Sequence, residues 1–300
     1  MLYLVADVGG TNCRLALADE GGVRAETVQR FRNENYAGFA DVARAYMADH
    51  PPLTAAAVAI AGPVGKGEGR LTNRDWHFDA ATLAQELSLE AVYLLNDLEA
   101  HGHAICVLSG PSLHHLSGTP VEDEPQAMVV GLGTGFNVAV AHRPSGVVFA
   151  AEMGHARVPQ SVATIVSEAV KDPSEFATVE HLLAGRGFAN LHRARTGVTC
   201  KPEDVGTSEG GQQTIEVAAR ALGALVRELA YIYLPEGGIF FNGSLAKTLI
   251  QSPYGDMTLA PLLADDRFGD RMPRIPTYLM TDDASALHGC ARYLAVSQPG

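Results

Sequence analysis

The sequence predicts a duplicated α/β protein. The stretches LYLVADVGGTNCRLALA (2–18) and AMVVGLGTGFNVAVAH (127–142) each read as an apolar strand, a glycine-rich turn and a second strand. Each is followed further along by a strand that ends in a turn of small residues, AAAVAIAGPV (55–64) and EGGIFFNGSL (236–245), so the same units recur in the same order.

Residues 2–6 are short, apolar and β-rich, and residues 14–18 alternate in polarity enough to pair back on them as a hairpin. A helical pattern follows from Tyr36 to Asp49, and residues 55–64 form a strand ending in a Gly-Pro turn. VYLLND (92–97) reads as a strand that closes on two polar groups, which is where open α/β sheets place their sites. The stretch 109–126 is rich in Gly, Pro, Ser and acids, and a domain boundary is expected near it. Apolar residues at helical spacing mark helices at 162–172 and 214–234, the second stopped by Pro235.

The chain has 300 residues, 47% of them hydrophobic and 19% charged, which easily supplies a packed core. A net charge of -12 argues against a nucleic-acid or anionic-membrane partner, since both need a basic face. Cys13, Cys106, Cys200 and Cys290 are too far apart for a zinc knuckle or redox pair and suit a reducing compartment. No basic stretch leads into an apolar segment at the amino terminus, and no run is long enough to span a membrane, so a cytoplasmic protein is expected.

The glycine turns exclude two common phosphate sites. A dinucleotide fingerprint needs G-x-G-x-x-G opening a helix, whereas Gly9-Gly10 and Gly131–Gly135 are each followed by a strand. A P-loop needs a hydroxyl after its lysine, but Lys66 precedes Gly67. A hairpin with glycine at its tip still exposes backbone N–H groups as a nest for phosphate oxygens. Gly9, Gly10, Thr11 and Asn12 form one such candidate, and Gly133 and Thr134 another. Asp7 beside bound phosphates implies a cation between the like charges, so it is the candidate magnesium residue, directly or through water.

Asp97, following Asn96 at a strand end, is the candidate general base; the same Asn-Asp pair also suits the start of a helix. Glu152 and His155 flank Gly154, and Glu180 stands near a helix start. With Asn96 and Asp97 these groups form a donor and acceptor set suited to a polyhydroxylated, uncharged ligand.

DVGGTNCRLAL (7–17), AGPV (61–64), TNRDW (72–76), LLNDLEA (94–100), GLGTG (131–135), EMGH (152–155) and VEHLLAG (179–185) together resemble the bacterial glucokinase family of the actin-like ATPase superfamily. The resemblance implies two actin-like (ribonuclease H-like) α/β domains flanking a cleft, with a small domain of 1–106 plus 284–300 and a large one of 107–283. It implies transfer of the ATP γ-phosphoryl to the 6-hydroxyl of glucose, the entry to glycolysis. Asp97 is then the base, while Asn96, Glu152, His155 and Glu180 hold sugar hydroxyls, with Asn73 on the sugar side. Gly243 joins the ATP-binding set, and a homodimer is suggested. The rivals are a kinase for another hexose, an inactive sugar-binding regulator, and an ATPase without a sugar acceptor. A zinc-containing relative is disfavoured by the absence of a cysteine cluster. Three positions depart from the family pattern: Met153 within E-G-G-H, Asn137 in place of the last glycine of the turn motif, and Asn242-Gly243-Ser244 in place of paired glycines. The first is expected to affect the sugar pocket and the other two the nucleotide's grip.

Overall fold

The first strand shows how the sheet of the amino-terminal half is buried. In the computed structural model, which describes residues 1–121 and 124–297, β1 (Tyr3–Val8) places Leu4, Ala6 and Val8 in one apolar cluster and Tyr3 and Val5 in another. Successive side chains of a strand point to opposite faces, so β1 is covered on both sides and reads as a continuous apolar run until Asp7.

β1 pairs antiparallel with β2 (Asn12–Asp19), which also carries β3 (Gly22–Val23) and β4 (Gln29–Arg32). β5 (Ala55–Ile60) runs parallel to β1. After a small three-stranded sheet of β6 (Val64–Gly65), β7 (Glu68–Arg70) and β8 (His77–Asp79), β9 (Ala91–Asn96) runs parallel to β5. Helices α1 (Phe39–Met47) and α2 (Ala80–Leu87) bury Phe39, Val42, Tyr46, Leu83 and Leu87 on the Leu4 face. The Asp79 carboxylate caps α2 by accepting from Thr82 N–H at 2.7 Å. Helix α3 (Asp97–Ala104) starts immediately after β9.

The second sheet has the order β10-β15-β14-β11-β12-β13. Its early strands are β10 (Leu113–Ser117), β11 (Gln126–Leu132), β12 (Phe136–His142) and β13 (Val147–Ala150). Four helices follow: α4 (Gln160–Ala169), α5 (Val179–Leu183), α6 (Gly185–Thr196) and α7 (Gly211–Tyr233). Then come β14 (Ile239–Asn242), α8 (Ser244–Ile250), α9 (Ala260–Leu263), α10 (Arg271–Arg274) and β15 (Thr277–Met280). The apolar side of α7, including Leu222, Leu225, Val226 and Leu229, is central to this core.

The final helix, α11 (Ser285–Ser297), lies with the first sheet, where Leu287, Cys290 and Leu294 bury against the Val5 face. The chain divides into two compact units, one of Met1–Ser112 with Ser145–Val148 and the segment from Asp282, the other of Leu113–Pro144 with Phe149–Thr281. The order β2-β1-β5-β9 in the first is repeated as β12-β11-β14-β15 in the second, with the first pair antiparallel and the later pairs parallel in both.

Several expected boundaries move. Within the stretch 236–245 the strand itself is Ile239–Asn242, because Gly238, with φ +127°, turns the chain into it and Gly243, with φ +102°, turns it out. The helix expected at 162–172 is Gln160–Ala169, starting directly after Pro159. Of the expected boundary stretch 109–126, Glu122 and Asp123 lie outside the described residues, as do residues 298–300 of the expected segment 284–300.

Candidate active site

In the first unit, strand register brings the candidate residues to one sheet edge. Val8 pairs with Ile60, and Ile60 with Asn96, so three adjacent parallel strands end level. The Gly9–Thr11 turn, the Ala61–Pro63 turn and the Asn96–Asp97 pair therefore lie along the carboxyl ends of the strands, where open α/β sheets bind ligands.

A buried asparagine holds the hairpin. Asn33 is fully buried; its side-chain N–H donates to the Gly9 carbonyl at 2.8 Å, its Oδ1 accepts from the Cys13 thiol at 3.0 Å, and its backbone N–H donates to the Thr11 carbonyl at 3.0 Å. Gly9 N–H closes the turn on the Asn12 carbonyl at 3.0 Å. Arg74 donates to the Asn33 carbonyl at 3.0 Å and lies over the Trp76 ring, which sets the TNRDW segment beside the turn. A Cβ on Gly10 would come within 3.3 Å of Asn73 Cβ.

Of the two readings of Asn-Asp, strand end and helix start, the structure puts Asp97 in the first turn of α3, because Asn96 is the residue that caps that helix. Asn96 Oδ1 accepts from Leu98 N–H at 3.0 Å, and Glu99 returns the bond to Asn96 N–H at 3.3 Å, a capping box. The Asn96 side-chain N–H also donates to the Gly62 carbonyl at 3.0 Å, which ties the cap to the Gly-Pro turn. Asp97 Oδ1 accepts from Leu98 N–H at 2.8 Å. The strand end and the helix start coincide.

Asp7 is cross-strand from Arg14, whose guanidinium lies 3.2 Å from Asp7 Oδ2 and donates to the Asp283 carbonyl at 2.9 Å. Burial raises the Asp7 pKa, and the adjacent Arg14 counteracts this. Sequence reasoning missed Arg14. The signal was the hairpin register, which sets residues 7 and 14 opposite each other and gives the carboxylate a cation from the protein itself. Among the described residues no group of three or more His, Cys, Asp or Glu side chains could hold a metal ion. One carboxylate beside a glycine turn still suits magnesium, which is usually held by one or two carboxylates plus substrate phosphates and water.

In the second unit, Gly131 pairs with Asn242, so the Gly133–Gly135 turn and Gly243 share an edge. Gly133 N–H donates to the Gly135 carbonyl at 2.9 Å, and Gly185 N–H to the Gly133 carbonyl at 2.8 Å. Thr134 is exposed, and a Cβ on Gly133 would meet nothing, so the tip is open to a ligand. At Gly243 a Cβ would fall 2.1 Å from the Leu132 carbonyl oxygen.

Glu152, Gly154, His155 and Glu180 form a single group. Met153–His155 is one 3-10 turn, with Glu152 and His155 exposed on either side of buried Gly154. Thr178 caps α5, and Val179 N–H donates to the Ala156 carbonyl at 3.0 Å, which brings Glu180 alongside. A Cβ on Gly154 would lie 3.0 Å from Glu180 Oε2 and 2.4 Å from the Phe136 carbonyl; one on Gly135 would lie 3.4 Å from the same Glu180 oxygen. The Glu180 carboxylate thus sits against two glycines, between the turn and the E-x-G-H segment. Asn137, on β12, hydrogen-bonds the backbone of this segment at Ala151 and Met153.

The Glucokinase family model matches this chain over residues 4–297. The chain belongs to the glucokinase family. It is 31% identical over 310 residues to the glucokinase of Erwinia tasmaniensis, with 97% of this chain and 96% of that one aligned. In structure, this glucokinase-family chain is similar to a glucokinase from an Antarctic psychrotroph, with TM-score 0.80, 24% identity and 99% of both chains covered. It is also similar to a ROK family glucokinase from Streptomyces griseus solved with glucose and AMPPNP, with TM-score 0.65, 18% identity and 97% and 98% of the two chains covered. The fold is the actin-like α/β architecture of these sugar kinases.

Proposed function

We infer that this chain is an ATP-dependent glucose kinase that transfers the γ-phosphoryl group to the 6-hydroxyl of glucose, giving glucose 6-phosphate and ADP. The observation that carries this reading is membership of the glucokinase family from residue 4 to residue 297.

Asp97 is the general base. It takes the 6-hydroxyl proton as the sugar oxygen attacks the γ-phosphorus and the bond to the departing ADP oxygen breaks. Glu152, His155 and Glu180, grouped around Gly154, hold sugar hydroxyls, and Asn96 adds what its amide retains beyond the helix cap and the Gly62 bond. The backbone N–H groups of Gly10, Thr11 and Asn12 donate to phosphate oxygens, with Gly9 closing that turn, and those of Thr134 and Gly243 do so in the second unit, with Gly133 closing the other turn. When bound, magnesium would supply charge neutralisation on the phosphates, and Asp7 is the carboxylate that would hold it, directly or through water. Arg14 fixes the orientation of Asp7.

No helix among the described residues is long and apolar enough to cross a membrane. Free Cys13, Cys106, Cys200 and Cys290 support a cytoplasmic location.

The test is ADP release from Mg-ATP by purified protein with and without glucose, with the sugar product identified. Glucose-dependent ADP release matched by glucose 6-phosphate is expected. ADP release indifferent to every hexose would overturn the reading.

A further inference from the structure

We propose that Asn137 is a positioning residue for the sugar subsite, its single side-chain amide fixing the backbone on both sides of Glu152. The inference rests on the functional reading above, in which Glu152 holds a sugar hydroxyl. Asn137 stands second on β12, and its side chain reaches the segment fourteen to sixteen residues on. Its Nδ2–H donates to the Ala151 carbonyl, and its Oδ1 accepts from Met153 N–H at 2.9 Å and from Val138 N–H at 2.9 Å. One planar group therefore bonds the residue before Glu152 and the residue after it, in opposite senses, as the backbone of a neighbouring strand would.

Glu152 needs such a clamp. Its backbone lies at φ -124°, ψ 52°, outside both strand and helix geometry, and its side chain is exposed. A side chain on a segment without ladder geometry points reproducibly only if the flanking peptides are held, and misplacement on the order of 1 Å is enough to lower catalytic efficiency steeply. Rigidity on the other side comes from Gly154, packed against the Phe136 carbonyl and the Glu180 carboxylate. Phe136 and Asn137 are adjacent on β12, so one strand end supports Glu152 through an amide and Gly154 through a carbonyl.

Two departures from the family pattern become one feature. Asn137 replaces the last glycine of the turn motif and Met153 replaces the middle residue of E-G-G-H, and the side chain of the first bonds the N–H of the second. The Met153 side chain packs against the core of the second unit and anchors the clamped segment from below. The expected effect of Asn137 was on the nucleotide; its hydrogen bonds act on the Glu152 segment.

The test compares Asn137→Ala and Asn137→Asp with the full-length wild type by steady-state kinetics in both substrates. Asn137→Ala is expected to raise the KM for glucose about tenfold, the effect of a sugar hydroxyl losing a well-placed hydrogen bond to the Glu152 carboxylate once its flanking peptides are released, while the KM for ATP stays within about twofold. Asn137→Asp keeps the acceptor for Met153 N–H but turns a carboxylate oxygen toward the Ala151 carbonyl, so it should raise the KM for glucose at least as much as Asn137→Ala. A glucose KM unchanged in Asn137→Ala, or KM values for both substrates rising together, overturns the proposal. A wild-type protein with no glucose-dependent turnover would instead overturn the functional reading. Amide hydrogen exchange separates the cases: Asn137→Ala should speed exchange at Met153 about tenfold or more while leaving the Gly9–Asn12 hairpin unchanged, and unaltered exchange at Met153 would eliminate the clamp whatever the activity.

Discussion

Asp97 and Asn96 are neighbours with divided duties. The Asn96 amide is committed to the α3 cap and the Gly62 carbonyl, so substitution there disturbs the fold, whereas Asp97 can change its chemistry while keeping its place in the turn. Asp97→Asn retains a carbonyl oxygen for Leu98 N–H but no longer accepts a proton. Turnover is expected to fall by about two orders of magnitude or more with glucose affinity nearly unchanged, measured as kcat against a dissociation constant from titration calorimetry. Near-normal kcat would remove Asp97 from the base role. Arg14 shows what reading residues one by one overlooks. It lies within the motif that contains Asp7, yet its meaning depends on which residue faces it across the hairpin, and that is a property of register.

Among the elements, the two glycine hairpins and the strand ends were legible because each is a local pattern, an apolar run broken by small residues. The start of α3 was legible as one of two readings of Asn-Asp, and both are realised at adjacent positions. The three-stranded sheet β6-β7-β8 was not legible, since strands of two or three residues carry no periodicity. The Asn137 clamp and the Asn33 brace were hidden because a side chain reaching a distant backbone leaves no trace in spacing. The seating of α3 on α11 is also invisible locally, but its consequence can be tested. A Cβ on Gly289 would lie 1.7 Å from the Ala100 carbonyl oxygen, so the two helices meet backbone to backbone. Gly289→Ala must push α3 away and Asp97 with it. The expected result is a loss of about 1–3 kcal/mol in urea unfolding, the usual cost of overpacking, together with a lower kcat. Unchanged stability and kcat would show that the contact tolerates a methyl group.

For the molecule as a whole, the same interface sets how stability responds to acid. His101, bonded to Ser285, and His103, edge-on to Tyr293, both have their pKa pushed down to about 4, chiefly by burial. In the unfolded chain both titrate near their ordinary value of about 6.5. Between those values the unfolded state binds protons that the folded state does not, so stability is full above about pH 6.5 and declines as pH falls toward 4. Asp7, with its pKa raised by burial, acts in the opposite sense, in a window that begins near the ordinary carboxylate value. The urea midpoint is therefore expected to drop between pH 7 and pH 5, and His101→Gln should flatten that slope; an equal slope in the variant would assign the acid sensitivity elsewhere. The placement of α11 has one more consequence, which concerns synthesis. Leu287, Cys290 and Leu294 complete the core against Val5, Ala57 and Leu95, residues made almost two hundred positions earlier or more. On the ribosome, the first unit waits with one face of its sheet covered only in part, by α3, until the second unit has been translated in full, so the half that emerges first is the half whose core closes last.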